Sequence, residues 1–549
     1  MRHHLFRASR LLPRLAVALG VGGCLLLLAA CGKRETPVDE GIRTQTLLLG
    51  NLAEPKDLDP HILDAFTDMN IAVALFEGLT ALDEKTGKPI PATAERWEIS
   101  ADGLVYTFHL RANAKWSDGT PLTSQDFAYS FQRILTPAFA ASYSYMLWPI
   151  KNAEAFNSGK ITDFSQVGIA TPDAATLRLT LERPTAYLLA LAAHNTWYPV
   201  PKSAIDKNGG MLQHGSRWTR PGNLVGNGPF ILTEWTPNSR ITIEKNQHYW
   251  DAATVRLNRI RFLPVESSEV EERNFRAGQM HVTWDLPSSK VVAYQAEKSP
   301  QLRIDPLLSI YYLNFNLKKP PFDNMAVRRA FSLVLDRAAL SRSVLNGIFP
   351  PAYSFVPPGC GDYESTGPLK ENATTARNLL QSAGYPGGRG LPPISLQILN
   401  DLRQPKLAEA VQAIWSRELG VNVTIEMNEQ KVWLQNQQSM NHQVAFLGWT
   451  ADFPDPITFL SLAQTDNGQN WSGYSNAVYD QMLVQAENSP DPAKRKEMLQ
   501  AAEGLMLSEG PVAPLVYRSR TFLIHPAVKN WEPAVVGIHL YKKVYLESR

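Results

Sequence analysis

Only one cysteine, Cys360, follows Cys31 in a chain of 549 residues, and that scarcity sets the terms on which the chain can fold. The amino terminus reads as an export leader. Arg2, Arg7, Arg10 and Arg14 stand there without an acid, and Leu15 to Ala30 is an unbroken apolar or small-residue run of 16. Such a run is shorter than the ~20 residues that span a bilayer, and small residues precede Cys31 as they precede a cleavage point. Leu28-Ala29-Ala30-Cys31-Gly32 reads as a lipobox, in which the Cys31 thiol is acylated and becomes the first residue of the mature chain. The alternative is an uncleaved anchor helix; either way the body is exported. Disulfides are what hold many exported domains together. Cys24 leaves with the leader, so Cys360 has no intramolecular partner and the body must rely on buried apolar cores.

The material for those cores is present. At ~150 residues per domain the length predicts three or four domains' worth of core, and hydrophobic residues make up 44% against 19% charged. Net charge is +2, with four arginines in the leader. The near-neutral body offers no broad phosphate-neutralising surface, which excludes nucleic acid as a partner. Strand-like runs at Thr44 to Asn51, Val105 to Leu110, Ile241 to Glu244, Arg259 to Leu263 and Ile394 to Leu399 alternate with helical ones. The helical runs are Ser124 to Leu135, with Ser124 as the cap, Met325 to Leu345, Lys406 to Leu419 and Pro492 to Ser508. The class is α/β. No spanning apolar segment follows Ala30, so a soluble body is expected.

Catalytic signatures are missing. No serine stands between glycines two residues away on either side, and no histidines of the body fall at four-residue helical spacing. Gly226-Asn227-Gly228-Pro229-Phe230-Ile231 lacks the third glycine of a dinucleotide loop and leads into a strand. Cys360 sits in Pro357-Pro358-Gly359-Cys360-Gly361, a turn without a histidine. The expectation is a protein without catalysis, metal or cofactor. Thirteen tryptophans and eighteen tyrosines, several beside small or acidic residues, point instead to an aromatic pocket for a small organic ligand.

A series of motifs then narrows the class. Leu58-Asp59-Pro60-His61, Leu75-Phe76-Glu77-Gly78-Leu79, Ala94 to Glu98, Tyr106 to Arg111, Lys115 to Pro121, Gly226 to Phe230, Asn246 to Asp251, Asp323 to Ala330 and Gly448 to Pro456 occur in that order. With them the chain resembles the extracytoplasmic oligopeptide- and dipeptide-binding proteins of ABC importers. The resemblance implies a periplasmic-binding-protein-like two-lobed clamp with a third domain inserted in lobe one. Lobe one would comprise 32–76, 202–308 and 520–549, the inserted domain 77–201, and lobe two 309–519, with hinges near 308 and 519. It also implies a peptide ligand, a permease partner, a monomer tied to the membrane through its lipid alone, and a location facing the periplasm or cell exterior.

Site residues follow from the same resemblance. Asp452 would pair with the peptide's α-ammonium, a charge-assisted bond in a desolvated cleft. Phe66 and Gly448, Trp449 and Thr450 match segments that pair with peptide backbone, while Tyr143, Trp284, Asp285 and Trp449 match pocket-lining positions. Asp64 matches an acidic position of a ligand-facing loop, and Tyr517 and Arg518 an aromatic segment near the cleft. Positions that carry basic carboxylate anchors in oligopeptide binders hold Phe446, Gln404 and Leu345 here. Arg403 or Arg518 is left to meet the carboxylate; otherwise the ligand has a modified or distant carboxyl end. Two cysteines that bridge in some relatives correspond to Ser309 and Thr450. A sugar, an opine or a chaperone-like role on the same fold remain open, and nickel fits least for want of nearby histidines.

Overall fold

The computed structural model describes residues 35–548 apart from Pro368 and 401–403, so Cys31 and Arg403 lie outside the described residues. A short helix over Pro37–Thr44 precedes strand β1 (Thr46–Gly50) and helix α1 (Phe66–Leu75), every residue of which after Phe66 is buried. A helix buried all round belongs inside a protein, and this one carries no amphipathic stripe, its Asp68 and Asn70 being buried with the apolar residues. A short hairpin, β2 (Thr80–Leu82) with β3 (Pro89–Pro91), leads into the antiparallel sheet β4 (Ala94–Ile99), β5 (Val105–Leu110), β6 (Ile169–Asp173) and β7 (Thr176–Thr180), ordered β4-β5-β7-β6. Helix α2 (Ser124–Leu135) packs on it with Phe127, Phe131, Ile134 and Leu135 inward, and Phe131 meets Trp197 edge-on at 5.2 Å.

The cap of α2 is Thr123, one residue before the serine expected to serve. Asp126 Oδ2 accepts from Thr123 N (2.7 Å) and Oγ1 (2.9 Å), a capping box, while Ser124 Oγ donates to Asp173 O at 2.6 Å.

Strands β8 (Phe230–Thr236), β9 (Arg240–Lys245) and β10 (Arg259–Leu263) return to β1, which pairs parallel with β10, in the order β1-β10-β9-β8. A five-stranded sheet follows from β11 (Leu302–Phe315), β12 (Ile394–Leu399), β13 (Val423–Asn428), β14 (Val444–Thr450) and β15 (Val512–Leu523), ordered β13-β12-β14-β11-β15. β11 and β15 are its longest strands and pair antiparallel from Leu302↔Leu523 to Asn314↔Val512. Residues 308 and 519 fall inside them.

Helices α3 (Met325–Leu333), α4 (Gln404–Leu419) and α5 (Pro492–Glu509) belong to this second half. The run from Met325 to Leu345, expected as one helix, is broken after Leu333. Asp336 caps a new turn through Ala339 N (2.8 Å), and a π-helical turn covers Leu340–Val344. The cause is Arg337: fully buried, it donates to Pro514 O (2.7 Å) and Leu335 O (3.2 Å), geometry that a continuous helix does not supply.

Three of the motifs that carry the family resemblance, Leu75 to Leu79, Gly226 to Phe230 and Asn246 to Asp251, converge on one buried junction. Glu77 accepts from Tyr249 Oη and from Trp250 Nε1 (2.6 Å), and Lys542 Nζ lies 3.7 Å away. Asn227 brackets the same residue, accepting from Glu77 N (3.0 Å) and donating to Glu77 O (2.8 Å). Gly228 must be glycine there, since a Cβ would stand 2.5 Å from the Leu75 carbonyl carbon. Asp59 and His61 are likewise structural: Asp59 receives both guanidinium ends of Arg133 (2.6 and 3.0 Å), tying the loop after β1 to α2.

Cys360 is buried and unpaired, and burial pushes its thiol well above the ordinary value, an inert environment for a thiol.

Candidate ligand-binding site

Asp452 follows β14 and stands where the segment 77–201 meets the segment 309–519. Its backbone N–H donates to Thr458 Oγ1 at 3.4 Å, and among the described residues it has no ion pair. Burial raises its carboxyl from the ordinary 3.8 to about 6. Two spaces share it as a wall. The first is a groove of about 650 Å³ flanked by Tyr145, Trp148, Tyr187, Trp449 and Phe453. The second is a narrower chamber of about 80 Å³ bounded by α1, the β2–β3 hairpin, the loop holding His194 and residues of the 534–542 segment.

Of the other expected residues, Trp449 lines the groove. Its indole Nε1 is buried with no hydrogen-bond partner in the described structure. Tyr143 stands beside it in a cluster, stacked on Tyr145 at 5.7 Å and 6.1 Å from the His194 ring. Burial first, then the charge of Asp452, raises the hydroxyls of both Tyr143 and Tyr145. Burial also holds His194 at about 4, so the imidazole is neutral and accepts from Thr196 N.

Gly448 and Thr450 lie on β14 against β11, with Gly448 exposed. A Cβ at Gly448 would stand 2.9 Å from the Tyr311 ring, so glycine keeps this stretch of strand open to an approaching backbone. Ser309 and Thr450 face each other in register with their hydroxyl oxygens 2.8 Å apart. Arg518 reaches the same pair, with Nη1 3.4 Å from each hydroxyl and its guanidinium 4.8 Å from the centre of the Tyr311 ring. Its Nε is buried without a partner, and no carboxylate pairs with it among the described residues.

Other expected residues are engaged elsewhere. Tyr517 is buried, and its hydroxyl bonds Ser354 Oγ (2.6 Å) and Ser354 O (3.0 Å). Trp284 and Asp285 line neither space: Glu271 Oε2 accepts from the backbone N–H of both, and Arg520 stacks over the Trp284 ring at 4.6 Å. Asp64 is exposed and paired with Lys56 at 3.3 Å. Phe66 opens α1 and is 43% exposed, its ring packed towards Gly537. Its helical backbone leaves the N–H free of the helix ladder and commits the carbonyl to it. Two of the three substituted anchor positions are closed off: Phe446 is buried 5.4 Å from the Tyr311 ring, and Gln404 Oε1 accepts from Leu399 N at 2.9 Å, while Leu345 is half-buried.

Tyr145, Trp148, Tyr187, Phe453 and His194 did not emerge as individual site residues from sequence. Their one signal was the density of aromatics, which does not say which rings face a cavity.

Comparison with known proteins agrees with this architecture. Residues 88–471 match the model of "Bacterial extracellular solute-binding proteins, family 5 Middle". The chain is 34% identical to the periplasmic oligopeptide-binding protein OppA of Salmonella typhimurium over 98% of its own length and 99% of that protein's. It is also 34% identical to the probable deoxycholate-binding periplasmic protein YgiS of Escherichia coli, over 90% of this chain and 91% of the other. A solved structure of the murein tripeptide binding protein MppA, in its unliganded open form, superposes with a TM-score of 0.79 at 31% identity, covering 92% of this chain and 98% of that one. The fold is the two-lobed, periplasmic-binding-protein-like α/β type, and the chain belongs to family 5 of the bacterial extracellular solute-binding proteins.

Proposed function

We propose that this protein is the lipid-anchored binding component of an ABC importer, that it closes its lobes around oligopeptides, and that it delivers them to a permease without catalysis of its own. Asp452 is the observation that supports this most. A carboxylate taken out of water with no counter-ion is costly, and a peptide's α-ammonium is the cation that would relieve it. The open strand at Gly448 to Thr450 offers backbone hydrogen bonds whatever the peptide sequence, and Arg518 offers donors to carbonyl or carboxyl oxygens, a role Arg403 can share. Tyr143 and Trp449 line the ligand's path beside Asp452. An anionic ligand such as a bile salt would bring its charge against Asp452, which disfavours that class.

In this proposal 32–76, 202–308 and 520–549 form lobe one, 77–201 the inserted domain and 309–519 lobe two. The hinge lies in β11 and β15, and Cys31 carries the lipid. The protein acts as a monomer, outside the cytoplasm.

Calorimetry with a tripeptide and its N-acetylated twin tests the assignment. The free amine should bind, and acetylation or Asp452→Ala should each weaken binding by ~2 to 5 kcal/mol, the range for truncating one partner of a buried charge pair. Equal dissociation constants for the two peptides would remove Asp452 from the ligand.

A further inference from the structure

The chamber behind Asp452 holds a second carboxylate that no expectation placed there. Glu84, at the turn of the β2–β3 hairpin, lines it opposite apolar walls that include Val73, Phe76, Leu82, Val536 and Ile538. The Glu84 side chain is 14% exposed, and Oε1 accepts from the backbone N–H of Leu540. Among the described residues it pairs with no lysine or arginine. Its closest titratable partner is His539, with Nδ1 4.0 Å away, which burial first and then Arg520 and Arg303 keep neutral. The chamber's own cation is committed elsewhere: Lys542 lies 3.7 Å from Glu77 and over the Trp250 ring. Asp83 is likewise engaged by Thr86.

Two carboxylates without an ion pair to lysine or arginine among the described residues therefore line one largely apolar enclosure, Lys543 reaching Glu84 only through its charge. A buried carboxylate is retained at a cost unless it takes up a proton, and a ligand that brings two cations separated by an apolar stem would relieve both of these at once. An amino-terminal lysine or arginine has that form. We infer that this chamber receives the side chain of the ligand's first residue, and that Glu84 is a specificity residue selecting a long basic side chain there. Asp452 takes the α-ammonium, the methylenes lie along the aliphatic walls, and the side-chain cation meets Glu84. This inference rests on the peptide-binding reading proposed above.

The test uses the full mature chain, freed of co-purified ligand, and calorimetric titration at neutral pH with X-Ala-Ala peptides in which X is lysine, norleucine or glycine. Norleucine matches the lysine stem without the charge. Lysine should bind about ten- to a hundred-fold more tightly than norleucine, as a hydrogen bond to a charged group allows, and norleucine more tightly than glycine. Glu84→Gln keeps an acceptor for Leu540 and should remove the lysine advantage while changing norleucine affinity less than about two-fold, within the scatter of such comparisons. Equal affinity for lysine and norleucine in the wild-type protein overturns the inference and leaves the peptide reading intact. An equal loss for both peptides in Glu84→Gln overturns it too, since that marks a structural role. If no peptide binds, the peptide reading falls and this inference falls with it.

Discussion

Asp59 and Asp452 are both aspartates taken out of water, and their surroundings separate their roles. Burial alone would raise Asp59, but the charge and hydrogen bonds of Arg133 outweigh it and hold the carboxyl below its ordinary value. Nothing does this for Asp452, which burial leaves at about 6. The first is a finished lock between the loop after β1 and α2; the second is a charge waiting for a partner. Arg133→Met should therefore cost ~3–5 kcal/mol of stability, because it strands Asp59 in the interior. A chemical denaturation midpoint within error of wild type would show that the loop does not depend on the pair. The pH dependence of peptide binding follows from the other aspartate. On the proposed assignment the ionised carboxylate binds the peptide's α-ammonium, so between about pH 5 and pH 9 affinity should peak near 7, falling by about tenfold per unit below 6 as Asp452 takes up a proton and again above about 8 as the peptide amine loses its own. Calorimetry between those limits reads it, and a flat profile would mean that the ligand does not sense Asp452. The resemblance singled out Asp452, but nothing in the residues around either aspartate tells a paired carboxylate from an unpaired one. The distinction is made by Arg133, distant in the chain from both.

At the scale of elements, periodicity was enough wherever one side of an element decides its fate. β5 and α2 have the predicted ends because alternation and three- to four-residue spacing record which residues face the core. The cap was placed one residue late because Thr123 and Ser124 are equally good capping residues, and only the position of Asp126 three residues on distinguishes them. Thr123→Ala should remove the capping box and cost ~1 kcal/mol, read as a lowered denaturation midpoint, whereas Ser124→Ala should act only through its bond to Asp173 O. If the two substitutions cost the same, the structure has the cap wrong. The break after Leu333 left no periodic trace, since apolar residues continue through it. It depends on a buried guanidinium that donates to the Pro514 carbonyl in β15, a tertiary requirement that overrides local helix preference.

Across the whole molecule the proposed ligand site is an assembly of distant segments. The resemblance supplied Asp452 because that residue lies inside a compact motif. The groove and chamber around it draw on α1, the β2–β3 hairpin, the loops near 145 and 187, and the 534–542 segment, and no local pattern relates those to each other. The same assembly shows what holds the segment 77–201 against 309–519 beside Asp452. Tyr187 stacks on Phe453 at 4.9 Å with ring planes 9° apart, its hydroxyl donates to Glu487 at 3.3 Å, and Arg183 lies 3.5 Å from the same carboxylate. In a clamp, contacts that cross the cleft stabilise the shut form alone, so they set how much of the ligand's binding energy is spent on closing. Tyr187→Ala deletes the stack and the hydrogen bond without touching Asp452 or the β14 strand. It should shift the peptide-free protein towards a more open form, seen as a larger radius of gyration in solution scattering. Peptide affinity should fall by the ~0.5–1.5 kcal/mol of an aromatic pair, and saturating peptide should restore the compact dimension. Asp452→Ala should show the reverse pattern, with an unchanged free form that peptide no longer compacts. A radius of gyration indifferent to both substitutions and to peptide would mean that the groove does not close on its ligand.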